Sequence, residues 1–94
     1  MAAIGLLEVE FLLPVAQSLK DKRRVLRSLK DQVTGKMNVS VAEVGYQDKP
    51  GRCHLAVITV AAERSVAEKR LRDVEDRIDA HPETTVIDRQ VQWL

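Results

Sequence analysis

The sequence has one cysteine, three aromatic residues, three prolines and four glycines in 94 residues. Each scarcity excludes something. With Cys53 alone no intramolecular disulfide can form, and a reducing compartment is the expectation. Phe11, Tyr46 and Trp93 give no platform for stacking bases, which argues against reading single-stranded nucleic acid in that way. The glycines stand singly at 5, 35, 45 and 51, so there is no glycine-rich phosphate loop. No apolar run approaches the ~20 residues that span a bilayer. Residues 1–14 are apolar but carry Glu8 and Glu10 and lack a basic leading stretch, so they do not read as a signal peptide. A cytoplasmic protein without a membrane partner is expected. Net charge is scarce as well: 15 basic against 14 acidic groups leaves +1, which taken whole argues against indiscriminate binding to polyanions.

What is present is a folding composition. Hydrophobic residues make up 45% and charged residues 31%, and the length suits one domain over residues 1–94. Such a chain has a radius of gyration of roughly 12 Å. With so few aromatics the core must be aliphatic, and thirteen valines tilt it toward strands.

Period-two alternation over residues 4–13 places Leu7, Val9, Phe11 and Leu13 on one side of a strand, with Leu6, Glu8, Glu10 and Leu12 on the other. Pro14 ends it. Ser18-Leu19-Lys20-Asp21 fits a capping box and opens a helix running to about Thr34, stopped by Gly35. Leu19, Val25, Leu26, Leu29 and Val33 share one arc of that helix. Residues 38–47 form a second strand, residues 48–51 a Pro-Gly turn, and residues 52–62 a third strand. The third is apolar on both faces in its middle, which suggests a central place in the sheet. Ser65-Val66-Ala67-Glu68 offers a second capping box, and Ala67, Leu71, Val74 and Ile78 line one face of the helix it starts. His81-Pro82 ends that helix, and residues 84–93 form a last strand with Val86, Ile87, Val91 and Trp93 as apolar positions. The order β-α-β-β-α-β defines an α+β, ferredoxin-like sandwich: a four-stranded antiparallel sheet with two helices on one face and the other face open.

The small net charge conceals a strong asymmetry. Residues 18–36 carry seven basic and two acidic groups, a net of +5, while the segments on either side are each −2. The second helix acts as a control, because residues 65–81 are −1 and offer Glu68–Arg72 and Asp73–Arg77 pairs at i,i+4. Lys20, Arg24 and Arg27 cluster opposite the apolar arc of the first helix, with Arg23 and Lys30 flanking them. Lys20, Lys22 and Arg23 crowd the positive end of the helix dipole, where cations are disfavoured by roughly 0.3–1 kcal/mol unless an anion binds there. Lys22 falls inside the apolar arc. It must snorkel past the sheet edge or meet an acid on the buried side.

Chemistry-bearing groups do not converge elsewhere. His54 and His81 have no metal-ligand spacing to each other or to Cys53. Cys53 and His54 are adjacent on a strand and point to opposite faces, so they cannot pair. Glu8 and Glu10 share a face and are candidates to meet Glu43 across the sheet, as a weak cation or acid–base site. Arg52–Ala62 contains no aromatic residue, which disfavours an RNA-recognition-motif mode. No cofactor, metal site or catalytic set is expected.

Ser18-Leu19-Lys20-Asp21-Lys22-Arg23-Arg24-Val25-Leu26 and Asn38-Val39-Ser40-Val41-Ala42-Glu43-Val44, with Gln47-Asp48 beyond, resemble the DUF503 (YlxP-like) family of small bacterial proteins. The resemblance covers essentially the whole chain. It departs at the hairpin, where the turn is Lys49-Pro50-Gly51-Arg52 and Tyr46 stands where a histidine is common. It implies a ferredoxin-like fold and no established enzymatic activity. Family genes often neighbour those for translation initiation factor 2 and ribosome-binding factor A, which implies a link to the ribosome. The resulting expectation is a non-catalytic module acting near ribosomal RNA or a ribosomal particle. Lys20, Lys22, Arg23, Arg24, Arg27 and Lys30 would contact phosphates, and the helix N-terminus would complete an anion site. The alternative is a homo-oligomer or protein-docking module that uses the open sheet face.

Overall fold

The computed structural model describes residues 1–94. The elements are β1 (Ala3–Leu12), α1 (Leu19–Thr34), β2 (Val39–Gly45), β3 (Arg52–Ala61), α2 (Arg64–Ala80) and β4 (Thr85–Trp93). They form one four-stranded antiparallel sheet in the order β2-β3-β1-β4, the ferredoxin-like arrangement, with β3 in the interior as its two-sided apolar character requires. β1 and β3 pair without interruption from Ala3–Ala61 to Leu12–Arg52. Ten extended residues reach roughly 34 Å. That explains extents of 45 × 21 × 17 Å and a radius of gyration of 13.1 Å, above the expectation for the chain length.

Both helices cover one face. Leu7, Val9, Phe11 and Leu13 meet Cys53, Leu55 and Val57 from β3, the α1 residues Val25, Leu26, Leu29 and Val33, and Leu71, Val74 and Ile78 of α2. Burial of each such aliphatic side chain is worth ~1.5–3 kcal/mol. Gly5 is required where α2 crosses the sheet, because a Cβ there would lie 2.8 Å from both Leu71 Cδ1 and Trp93 Cζ3. On β4 only Val86 and Trp93 pack on the core, while Ile87 and Val91 are exposed.

The two helix starts differ. At α1, Ser18 Oγ accepts the Asp21 N–H at 3.1 Å, and the Asp21 carboxylate accepts from Gln17 N–H at 2.9 Å, one residue before the expected return bond. At α2 the expected capping box does not form: Glu63 is the N-cap and makes no side-chain cap bond. The Glu68 carboxylate is held instead by Arg64 Nε at 3.0 Å, and Arg64 lies over the Trp93 ring at 4.5 Å. This draws Arg64 into the first turn and leaves Ser65 inside the helix.

The second strand stops at Gly45, earlier than the sequence pattern suggests, because its register with β3 shifts between Glu43 and Gly45. Tyr46 then adopts φ 58°, the only positive φ at a non-glycine residue. That left-handed conformation costs roughly 1–2 kcal/mol.

Candidate functional site

α1 presents its cations in three different ways. Lys20, Arg23 and Arg27 are exposed and make no ion pair. Residues three and four apart on a helix lie ~5–6 Å apart at Cβ, so these three form one charged patch with Arg24. Arg24 reaches Glu83 at 3.2 Å, but its side chain stays 65% exposed. Lys30 is half-buried and lies over an apolar crevice lined by Leu29, Val33, Val41 and Leu55, turned away from the Arg24 face.

Lys22 is corrected from the phosphate-contacting set. It is 1% exposed, and its ammonium faces inward. It donates to the carbonyls of Tyr46 at 2.6 Å, Lys49 at 2.6 Å and Arg52 at 3.1 Å. An ammonium has three N–H donors, so these carbonyls use them all. Glu43 Oε2 approaches to 2.7 Å as a charge contact, without a hydrogen of its own. The buried-side acid is therefore Glu43, and Lys22 cannot reach a phosphate. The anion site expected at the α1 N-terminus goes with it, because the Asp21 carboxylate already occupies that turn.

The Lys22 cluster also gives the hairpin a role. Residues 46–52 have few ladder bonds of their own, yet three of their carbonyls converge on one ammonium. The strained Tyr46 backbone aims its carbonyl there, and the same oxygen accepts the Lys49 N–H at 3.0 Å. The first turn of α1 is thereby fixed to the β2–β3 connection.

The expected Glu8–Glu10–Glu43 set does not converge. Glu43 pairs across from Leu55 on the helix-covered face, while Glu8 and Glu10 lie on the open face. There they form a chain with two other residues. His54 Nε2 is 3.1 Å from Glu8 and its Nδ1 is 3.8 Å from Glu10, while Arg52 is 2.8 Å from Glu10 and stacks on Tyr46 at 4.4 Å. The bond to Glu10 holds the Arg52 guanidinium pKa above its ordinary value. No group of three or more His, Cys, Asp or Glu side chains has a metal-holding arrangement. Cys53 is fully buried on the opposite side from His54. Burial, then the nearby Glu43 carboxylate, pushes its thiol up to about 12.

The α2 charges pair differently from the expectation. Arg64–Glu68 and Lys69–Asp73 form at 3.0 Å each, in place of Glu68–Arg72 and Asp73–Arg77. Arg89 from β4 holds Glu75 at 3.3 Å and Asp79 at 2.9 Å, and its pKa is raised chiefly by Asp79. The acids of α2 are thus largely engaged, while the exposed cations of α1 are largely not.

One residue outside the expected phosphate-contacting set joins the site. Lys36, just beyond α1, lines a shallow depression of about 500 Å³ with Arg24, Arg27, Ser28, Asp31 and Gln32. Its charge is legible in the sequence, but its return to the Arg24–Arg27 face is not.

The sheet order, the two helices on one face and the solvent-facing basic helix define a small ferredoxin-like α+β module. The chain belongs to the DUF503 family, described as proteins of unknown function, whose profile matches residues 4–91. It is 38% identical over 91 residues to "Uncharacterized protein YlxP" of Bacillus subtilis (strain 168), an alignment covering 97% of this chain and 99% of that protein. No helix is long and apolar enough to cross a membrane.

Proposed function

We propose that this chain is a non-catalytic, cytoplasmic binding module that associates with ribosomal RNA or a ribosomal particle through the outward face of α1. The observation that carries the reading is the contrast in charge pairing. Lys20, Arg23 and Arg27 stand exposed without acids on a helix that holds only Asp21 and Asp31, whereas α2 carries five acids, of which Glu68, Asp73, Glu75 and Asp79 are held by Arg64, Lys69 and Arg89 and offset its cations. With Lys22 turned inward, residues 18–36 still hold six basic groups outside the core, the half-buried Lys30 among them, against two acidic ones, a net of +4. Phosphate contacts from such a face position a protein without reading bases. They steer association and release counterions, so binding falls steeply with salt.

A gentle pull-down at low salt, repeated at high salt and after nuclease treatment, tests the reading. Ribosomal particles recovered at low salt and absent in both other conditions are expected. A partner protein retained through nuclease treatment would overturn it.

A second reading has its own observation. Ile58 and Val60 are 41% and 50% exposed on the open sheet face, beside Ile4 and Leu6 on the neighbouring strand. This half of the face suits homo-oligomerisation or protein docking, while the Glu8–His54–Glu10–Arg52 chain limits a large dry contact. Sedimentation at micromolar concentration tests the homo-oligomer: a monomer throughout removes it.

A further inference from the structure

The basic surface does not end with α1. Lys36, which closes the depression beside Arg24 and Arg27, also lines a second shallow depression of about 580 Å³ with Asn38, Lys69, Arg70 and Arg72. The two hollows share that residue, which places them side by side as a track from α1 to the start of α2. The charge of α2 divides to match. Residues 64–73 hold four basic and two acidic groups, a net of +2, whereas residues 74–80 hold one basic and three acidic groups, a net of −2. Two of those three acids are tied to Arg89. The positive track is therefore bounded halfway along α2. Arg70 is spent internally, donating to Thr59 Oγ1 at 3.1 Å and the Val60 carbonyl at 2.9 Å. Arg27, Lys36 and Arg72 face the track without an ion pair, and Arg24 and Lys69, though paired with Glu83 and Asp73, keep 65% and 72% of their side chains exposed; Asp31 and Asp73 are the acids among the lining residues.

We propose that this track binds a double-helical nucleic acid by its paired phosphate rows. The inference deepens the ribosomal-RNA reading and rests on it, and its source of choice is duplex RNA. Two observations set duplex above single strand. First, the three aromatic side chains are already engaged: Phe11 is buried, Arg52 lies over one face of Tyr46 at 4.4 Å, and Trp93 packs against the core with Arg64 over its ring at 4.5 Å. Single-strand binders take much of their affinity from stacking on such faces. Second, charge density favours the duplex. The ten helical steps from Arg24 to the end of α1 at Thr34 correspond to a rise of about 15 Å. A duplex with one charge per ~1.7 Å presents about nine phosphates over that distance, and one strand about four. A broad, shallow, two-helix track engages two rows of phosphates better than one. Duplex RNA is read through its shape and backbone in this manner.

The test is fluorescence anisotropy with three labelled probes: a 20-base-pair RNA duplex, an unstructured single RNA strand of the same length and a 20-base-pair DNA duplex. The whole chain is compared with K69E/R72E and, to remove charge without adding repulsion, K69Q/R72Q, with folding checked by circular dichroism. Duplex RNA is expected to bind on the order of tenfold more tightly than the single strand. K69Q/R72Q is expected to lower the magnitude of the log–log salt slope on duplex by up to about 1.8, at ~0.9 for each phosphate no longer neutralised. K69E/R72E should weaken duplex binding further. Equal binding of duplex DNA supports the paired-row chemistry and assigns it to either duplex; preference for duplex RNA supports it and assigns the source. Single strand bound as tightly as duplex overturns the proposal. So does unchanged duplex binding in both variants. If those variants bind normally while R24E/R27E does not, the track over α2 falls and the α1 reading stands.

Discussion

Lys22 Nζ lies 2.7 Å from Glu43 Oε2, beneath the surface, where the first turn of α1 meets the second strand. The most obvious member of the basic helix is therefore a structural element. Its ammonium is enclosed by one carboxylate and three hairpin carbonyls, and it holds that hairpin in a shape that requires Tyr46 at φ 58°. A lysine at this position stabilises the helix–hairpin junction and is removed from any external contact.

Replacing Lys22 with Met tests that assignment. The substitution keeps the apolar stem but leaves Glu43 and three carbonyls without their cation. Breaking a buried pair from one side costs ~3–5 kcal/mol. Urea unfolding should show a loss of that size, against less than ~0.5 kcal/mol for Lys20→Ala on the exposed side of the same helix. Equal, small effects at both positions would contradict the buried cluster. Lys22→Met with Glu43→Gln should recover part of the loss, because the stranded charge is gone.

Arg24 and Glu83 give the opposite case. Their 3.2 Å contact is largely solvated, so Arg24→Ala should change stability by less than ~1 kcal/mol. This makes Arg24 suitable for charge reversal, because a change in RNA affinity at unaltered stability reports on the interface alone. A loss of several kcal/mol would show that the arginine is structural.

Cys53 supplies a pH dependence with a definite sign. Its thiol is held up to about 12, against 9.0 for the free group. Below about 9 both folded and unfolded chains keep the proton, and the residue adds no slope. Between about 9 and about 12 only the unfolded chain releases it, so stability falls as pH rises through that window. Cys53→Ala should show a shallower decline from pH 8 to pH 10.5 in paired urea titrations. The native thiol should also resist aromatic disulfide reagents at pH 8 and react on unfolding. Rapid reaction of the native protein would contradict its burial.

At Gly5 the expected effect is steric. A methyl group would meet Leu71 and Trp93 at 2.8 Å, so Gly5→Ala should destabilise by ~1–3 kcal/mol through overpacking. Trp93→Leu frees one side of that contact and should reduce the penalty, which thermal unfolding of the single and double variants can measure.

Much of this molecule can be read from local patterns. Alternation in the first strand sorts its residues correctly between core and open face, and the two-sided third strand occupies the sheet interior. The Ser18 cap forms where the sequence places it, because its partners lie within three residues. The α2 cap fails because a distant residue intervenes: Trp93, on the last strand, holds Arg64, and Arg64 takes the Glu68 carboxylate. The Lys22 anomaly is visible as a cation inside an apolar arc, but its partner is less so. Strand parity does group Glu43 with Val39 and Val41 on the covered face, which is why it cannot meet Glu8 and Glu10 on the open one. The Tyr46 conformation has no local sequence signal, since it follows from a bulge and from the ammonium its carbonyl serves. Net charge along the chain locates the basic helix. It cannot show that Lys30 and Lys22 leave the exposed face or that Lys36 joins it.

The salt dependence of RNA binding tests the central claim most directly. The wild-type chain and R24E/R27E would be titrated against ribosomal RNA by filter binding from about 50 to about 200 mM monovalent salt. Four or more phosphate contacts predict a log–log slope of about −3 or steeper for the wild type, at ~0.7–0.9 per contact. The charge-reversed variant should bind on the order of tenfold more weakly, with a visibly flatter slope. An affinity and slope indistinguishable between the two proteins would contradict the assignment of the α1 face as the nucleic-acid contact.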